Sequence, residues 1–268
     1  MNIVVCIKQV PASSNVKVDP VTGVLIRDGI ESKMNPYDLF ALEAALSLRE
    51  KAGGTVHVLT MGPNPAKAVL MEAIYMGADD GILISDRRFG GADVLATAYT
   101  LSSAIRSLGE EAPVDLILCG KQTTDGDTAQ VGAEMAEYLD LPQYSNISSL
   151  TLTTEDQVDV VSTLGQDLLS ATIKLPCVLC TDAEINTPRL PSYLRKQKTD
   201  PEMEQRIRVL TLDDFKDRDP QHYGLNGSAT AVERIFPPEK NEEHIFLKGD
   251  PRSSTRTLLE ALKERKIL

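Results

Sequence analysis

Tryptophan is absent from this chain of 268 residues, and aromatic residues make up only 4% of it. Rings for stacking on bases are therefore scarce, which argues against a single-strand nucleic-acid platform. Basic charge is in short supply too: 28 Lys and Arg face 39 Asp and Glu, for a net charge of −11. A nucleic-acid binder needs a basic face to replace phosphate counterions, so no nucleic-acid partner is expected. No apolar run approaches the roughly 18 residues a membrane helix requires, and no membrane insertion is expected. The opening stretch Met1 to Lys8 has neither the basic flank nor the small-residue cleavage site of a signal peptide. Four cysteines in so long a chain make no disulfide framework; they are expected as free thiols in a cytoplasmic protein. Three dispersed histidines, His57, His222 and His244, offer neither a catalytic triad nor a metal-ligand cluster.

What is present is alternation. Short runs rich in Val, Ile and Leu at 3–10, 56–61, 81–85 and 114–119 read as strands covered on both faces. Helical patterns fall between them. Asn35-Pro36 opens one, with Asn as N-cap and Pro at the first helical position, and Gly53-Gly54 closes it. Others are expected over 65–76, 93–108 and 128–139. This is an α/β pattern: a mostly parallel, doubly wound sheet with right-handed crossovers. Runs at 147–152 and 158–164 flank a turn and predict an antiparallel hairpin extension, followed by strands at 170–175 and 178–181. Residues 1–183 are thus expected as the α/β domain. Beyond Ala183 the periodicity weakens, and 184–268 is expected as a long partner-binding arm ending in a helix over 253–266, with Leu258, Leu259 and Leu262 on one face.

Ligands of open parallel sheets bind beyond the carboxyl ends of strands. The most informative such end is Gly120, Lys121, Gln122, Thr123, Thr124, Asp125, Gly126, Asp127, Thr128, Ala129, Gln130, Val131. Small and hydroxyl residues there precede a helix whose N–H groups could receive a phosphate, although a plain polar turn fits as well. A Walker loop is rejected, because Asp115 stands where its first Gly belongs and Gln122 separates Lys121 from Thr123. Phe89, Gly90, Gly91, Ala92, Asp93 form a second turn of this kind, open to a structural reading with Asp93 at a helix start. Cys177 and Cys180 have CxxC spacing, but on a strand they face opposite sides and no second pair exists, so no metal is expected. Arg195, Lys196 and Lys198 read as a solvated charge run or an electrostatic docking contact.

Several segments, in order, resemble the beta subunit of electron transfer flavoproteins. They are residues 4–11, Met34-Asn35-Pro36-Tyr37-Asp38 with Ala41-Leu42-Glu43, Met76-Gly77-Ala78-Asp79, and 118–127. The likeness spans essentially the whole chain. It implies an alpha-subunit partner carrying a mobile FAD. It implies a nucleotide pocket lined by Cys6, Asn35, Tyr37, Asp38, Met61 and residues 120–131. That pocket holds AMP in housekeeping members and the adenylate half of a second FAD in electron-bifurcating ones. Bifurcating members carry Gly-Gly-Ala-Asp near the isoalloxazine, matched here by residues 89–93 with Ala96 and Thr97. The family's Arg-Gln-Ala-Ile-Asp-Gly-Asp is replaced by Lys121 through Asp127. The recognition loop corresponds to 188–198, with its apolar anchor at Tyr193 or Leu194. The resemblance implies hydride uptake from NADH, one electron passing through the alpha-subunit flavin to an acyl-CoA or 2-hydroxyacid dehydrogenase, and the other passing to ferredoxin or flavodoxin. No side chain is expected to act as a catalytic nucleophile. The alternatives are a housekeeping subunit with structural AMP and a non-redox nucleotide-binding regulatory module.

Overall fold

The computed structural model describes residues 1–12, 31–233 and 244–268, together with the backbone of two short strands, Lys17–Val18 and Leu25–Ile26. Part of the expected arm, 234–243, lies outside the described residues.

Along the chain come β1 (Asn2–Cys6), β2 (Gln9–Pro11), β3 (Lys17–Val18), β4 (Leu25–Ile26) and β5 (Ser32–Met34). Then follow α1 (Pro36–Ala52), β6 (Thr55–Met61), α2 (Lys67–Met76), β7 (Asp80–Ile84), α3 (Val94–Glu111), β8 (Leu116–Gly120) and α4 (Val131–Leu139). A strand-rich region holds β9 (Gln143–Thr154), β10 (Gln157–Leu164), β11 (Asp167–Lys174) and β12 (Cys177–Thr181). The remainder comprises α5 (Tyr193–Thr199), α6 (Met203–Arg206), β13 (Ile207–Leu210) and α7 (Pro251–Glu264).

Among the described residues, nine strands form one sheet in the order β11-β10-β9-β12-β8-β1-β6-β7-β13. From β9 to β13 every pairing is parallel; β10 and β11 add to the β9 edge as antiparallel neighbours. The α/β class, the parallel sheet and the hairpin extension are as the sequence predicts. The two-residue period of a strand sends alternate side chains to opposite faces. In β1, Ile3 and Val5 join the core under α1 and α2, while Val4 and Cys6 join the core under α3 and α4. In β12, Cys177 and Cys180 part in the same way. Helices on both faces explain why these strands read as unbroken apolar runs.

Three expectations are corrected. The first strand does not run through 3–10: β1 stops at Cys6, because the Lys8 N–H is taken by the Asp38 carboxylate at 2.7 Å, and β2 pairs instead with β5. The helix expected from 128 begins at Val131, because Asp127 and Ala129 adopt left-handed backbone, with φ of 53° and 56°. The chain beyond Ala183 is not one extended arm. Its β13 is the ninth strand, paired with β7, and Leu212, Phe215 and Tyr223 are buried in the core. Truncating a buried aromatic costs about 3–5 kcal/mol, so this part of the chain belongs to the fold. Helix α7 differs: none of its residues is buried, and Leu258 and Leu259 are exposed.

Candidate functional site: the carboxyl edge of the sheet

The carboxyl ends of β1, β8 and β12 lie side by side, with Cys6, Cys119 and Cys180 in register across them. Gly120 closes β8 against the start of α1. A Cβ there would stand 2.4 Å from Asp38 Oδ1 and 2.6 Å from the Tyr37 carbonyl carbon, so only glycine permits the approach.

Asn35 occupies the N-cap position of α1, as its sequence predicts, but its side chain caps nothing. It is fully buried and serves the neighbouring loop instead. Its Nδ2 donates to Asp38 Oδ1 (2.9 Å) and to the Gln122 carbonyl (2.8 Å), and its Oδ1 accepts from the Thr124 N–H (3.2 Å). Asp38 is buried and receives the Asn35 amide and the Lys8 N–H. Burial raises its carboxyl to about 7, despite the opposing Asn35 and backbone hydrogen bonds.

From this anchor the loop runs outward. Asp125 pairs with the Lys8 ammonium at 2.8 Å. Burial pushes its carboxyl up, but Lys8 and Thr123 more than offset this and hold it below the ordinary range. Lys121 pairs with Asp182 at 2.8 Å, which raises its ammonium, and lies 6.0 Å from the centre of the Tyr37 ring. Thr123 Oγ1 and Asp125 receive the Gly126 N–H, and Asp127 receives the Gln122 amide. Thr128, Ala129 and Gln130 are exposed, and Gln130 at the N-cap of α4 makes no side-chain capping bond. Met61 ends β6, beside β1 on the same edge, and is half-buried. Thus Cys6, Asn35, Tyr37, Asp38, Met61 and the 120–131 loop share one edge. Sequence reasoning missed Gly132. A Cβ on it would meet Cys180 Sγ at 2.2 Å, so this glycine sets how closely α4 seats on β12. Cys180 in turn is inert: the adjoining Cys119 thiol and burial push its own thiol well above the usual range.

The second turn, after β7, is built differently. The Phe89 ring is buried among Phe215 (5.7 Å between centres) and Tyr223 (5.5 Å), so it faces the core. Gly91 has φ of +74°, and its Cβ position lies 3.3 Å from Leu225 Cβ. The Gly90 carbonyl accepts from the Leu225 N–H. Asp93 caps α3 through the Ala96 N–H, and its other oxygen takes both the N–H and the hydroxyl of Thr230. Ala92 and Thr97 are half-buried beside this clasp.

The 188–198 stretch is tied to the helices beneath it. Arg189 grips Glu43 with two guanidinium nitrogens at 2.8 Å. Arg195 is no solvated charge: it donates to the carbonyls of Ile74, Gly77 and Ala78, closing the C-terminus of α2. Lys196 pairs with Asp200, and Lys198 is exposed. On this anchored base Tyr193 and Leu194 stand 70% and 77% exposed, side chains with no packing role of their own.

Residues 22–214 match the family model described as the electron transfer flavoprotein domain. The chain belongs to the electron transfer flavoprotein beta-subunit family. It is 40% identical over 268 residues to the electron transfer flavoprotein subunit beta of Thermoanaerobacterium thermosaccharolyticum, covering 100% of both chains. It is 40% identical over 271 residues to subunit CarD of the caffeyl-CoA reductase-Etf complex of Acetobacterium woodii, again covering 100% of both. To protein FixA of Azotobacter vinelandii it is 41% identical, over 97% of this chain and 92% of FixA. Among the described residues no helix is long and apolar enough to cross a membrane, and no cluster of His, Cys, Asp or Glu could hold a metal ion.

Proposed function

We propose that this family member holds FAD on the 120–131 loop, takes electrons from NADH, and bifurcates them to ferredoxin or flavodoxin and, through an alpha-subunit FAD, to an acyl-CoA or 2-hydroxyacid dehydrogenase. The observation that carries the nucleotide reading is the uncapped first turn of α4, approached by a loop with two non-glycine residues in left-handed backbone. Such conformations cost of order 1–3 kcal/mol each and concentrate where a ligand is clamped. The helix start offers free N–H groups and a positive dipole end to a pyrophosphate. Lys8 and Lys121 bring ammonium groups to the same edge, each paired with a carboxylate. The donor set therefore fits the phosphates of FAD or AMP. FAD, when bound, supplies the hydride and electron chemistry.

Residues 90–93 and Thr97 are assigned to the flavin-ring side by the likeness to bifurcating members. Phe89 serves there as the buried root of the turn. Tyr193 and Leu194 are assigned to dehydrogenase docking, as exposed apolar anchors on a rigid base. The residues from 244 onward, including the uncovered leucines of α7, are assigned to the alpha subunit.

The test is nucleotide extraction from the purified heterodimer. Two FAD and no AMP per heterodimer is the expected result. One FAD with one AMP would replace bifurcation by the housekeeping reading, and no flavin at all would leave a regulatory module.

A further inference from the structure

We propose that Asp38 is a proton-linked positioning residue, whose ionised carboxylate locks Asn35 in the orientation that orders the 120–124 segment, so that nucleotide affinity at this edge depends on one proton. The inference rests on the nucleotide reading of the loop and adds its regulation by pH.

Asn35 is the hinge of the argument because every one of its polar atoms is committed. Its Nδ2 has two hydrogens, one for Asp38 Oδ1 and one for the Gln122 carbonyl, and its Oδ1 takes the Thr124 N–H. The two loop bonds need the amide nitrogen on one side and the oxygen on the other. Asp38 enforces that choice, since an ionised carboxylate is an acceptor only. Its second oxygen is fixed by the Lys8 N–H at 2.7 Å, and Gly120 lies so close that a Cβ on it would stand 2.4 Å from Oδ1.

Protonation gives the carboxyl a donor and leaves its hydroxyl oxygen a poorer acceptor. With Oδ2 held by the Lys8 N–H, the proton goes to Oδ1, where it weakens the bond from the Asn35 amide. Asn35 regains a full bond by turning its oxygen to the new hydroxyl. That turn takes the acceptor from Thr124 and presents the amide nitrogen to a backbone N–H. The loop then loses an anchor at the position where its chain leaves β8. An unsatisfied buried polar group is costly enough to shift loop order by about fivefold or more.

The groups around Asp38 set where this happens. Lys8, at the end of β1, favours the ionised form, although its ammonium is shared with Asp125. The Gly120 backbone also favours the ionised form, while the Cys119 thiol stays protonated. Lys121 is occupied by Asp182, and Tyr37 lies alongside. Burial outweighs the favourable contacts, and the carboxyl titrates at about 7.

The experiment measures FAD affinity of the full-length chain between about pH 6 and about pH 8, a range in which the FAD pyrophosphate does not titrate and unperturbed carboxyls are fully ionised. Amide exchange at Thr124, corrected for intrinsic rates, is followed in parallel. The parent is expected to bind at least about threefold more weakly at the acid end and to lose Thr124 protection there. Asp38→Asn removes the charge that burial disfavours and is expected to fold; its affinity and its Thr124 protection should not vary with pH. A parent that binds FAD with flat affinity overturns the lock and leaves the nucleotide reading standing. Asp38→Asn with the parent's pH dependence also overturns it. A parent that binds neither FAD nor AMP at any pH overturns both. If Asp38→Asn does not fold, parent affinity and Thr124 protection falling together still support the lock, and either staying flat refutes it.

Discussion

Two strand-to-helix turns on the same edge of the sheet look alike in sequence and are opposites in structure. Both carry glycine, aspartate and a following helix. At residues 86–93 the chain itself fills every opportunity: Phe89 in an aromatic cluster, Leu225 against the glycines, and Asp93 as cap with Thr230 on its second oxygen. At residues 120–131 the root is pinned by Asn35 and the outer half is left open, with the helix start uncapped. A turn whose donors and acceptors are satisfied internally needs no ligand to explain it, whereas one whose helix N–H groups face solvent is prepared for an anion. The proposed phosphate site therefore rests on the turn at 120–131, and the flavin-ring proposal for 90–93 rests on the family likeness alone.

The largest effect that would test this contrast separates Gly126 of the open turn from Gly132 at the start of α4. Gly132→Val places a branched side chain where a Cβ alone meets Cys180 Sγ at 2.2 Å. Overpacking of this kind costs about 3 kcal/mol, and α4 should be pushed off β12. The melting temperature is expected to fall by roughly 5–10 °C, with loss of bound nucleotide. Gly126→Val is the partner experiment. Its Cβ would meet only Thr123 Oγ1, at 3.5 Å, and its backbone is not left-handed. Stability should stay within about 0.5 kcal/mol while nucleotide retention falls. Full retention in a folded Gly126→Val would remove the loop's outer half from the binding site.

How far the sequence could be read follows the same division. The central strands were legible because burial on both faces leaves nothing but apolar residues. Strand β13 was not: at the sheet edge it buries Ile207 and Leu210 and exposes Arg208 and Val209, so its four residues carry no continuous apolar signal. The loop's position was legible from the carboxyl-end rule, but its anchor was not. Asn35 before Pro36 has the pattern of an N-cap, and only the fold shows its side chain turned to Gln122 and Thr124, 87 and 89 residues away. Arg195 misled in the same way, since a cation beside two lysines reads as surface until the carbonyls ending α2 are brought to it.

A smaller effect probes the closed turn. Gly91 has φ of +74°, and a Cβ on it would press Leu225 at 3.3 Å. Gly91→Ala should cost about 1–2 kcal/mol through the left-handed backbone alone, read as a lowered denaturation midpoint with an unchanged slope. An unchanged midpoint would mean that the clasp is loose, and would leave a ligand as the reason for glycine at this position.

The smallest effect is electrostatic and belongs to Asp93. Burial raises its carboxyl, but the N–H groups of Ala96 and Thr230 and the Thr230 hydroxyl outweigh this and hold it below the usual carboxylate range. Asp93→Asn keeps one oxygen for the Ala96 N–H and turns an NH2 toward the Thr230 donors, so the cap survives and the clasp is lost. About 1 kcal/mol is expected at neutral pH, typical of one hydrogen-bonded contact. The sign of the pH dependence follows from the depressed folded value. The ionised carboxylate stabilises the fold fully above its unfolded pKa of about 3.9, and that stabilisation disappears as pH falls through the lower folded value. Urea denaturation of parent and variant should therefore show a constant gap from neutral pH down to about 5, narrowing below about 4. A gap that persists unchanged at about pH 3.5 would assign the loss to packing rather than charge. The absence of any gap at neutral pH would show that Thr230 contributes nothing to closing this turn, which would then resemble the open one more than its hydrogen bonds suggest.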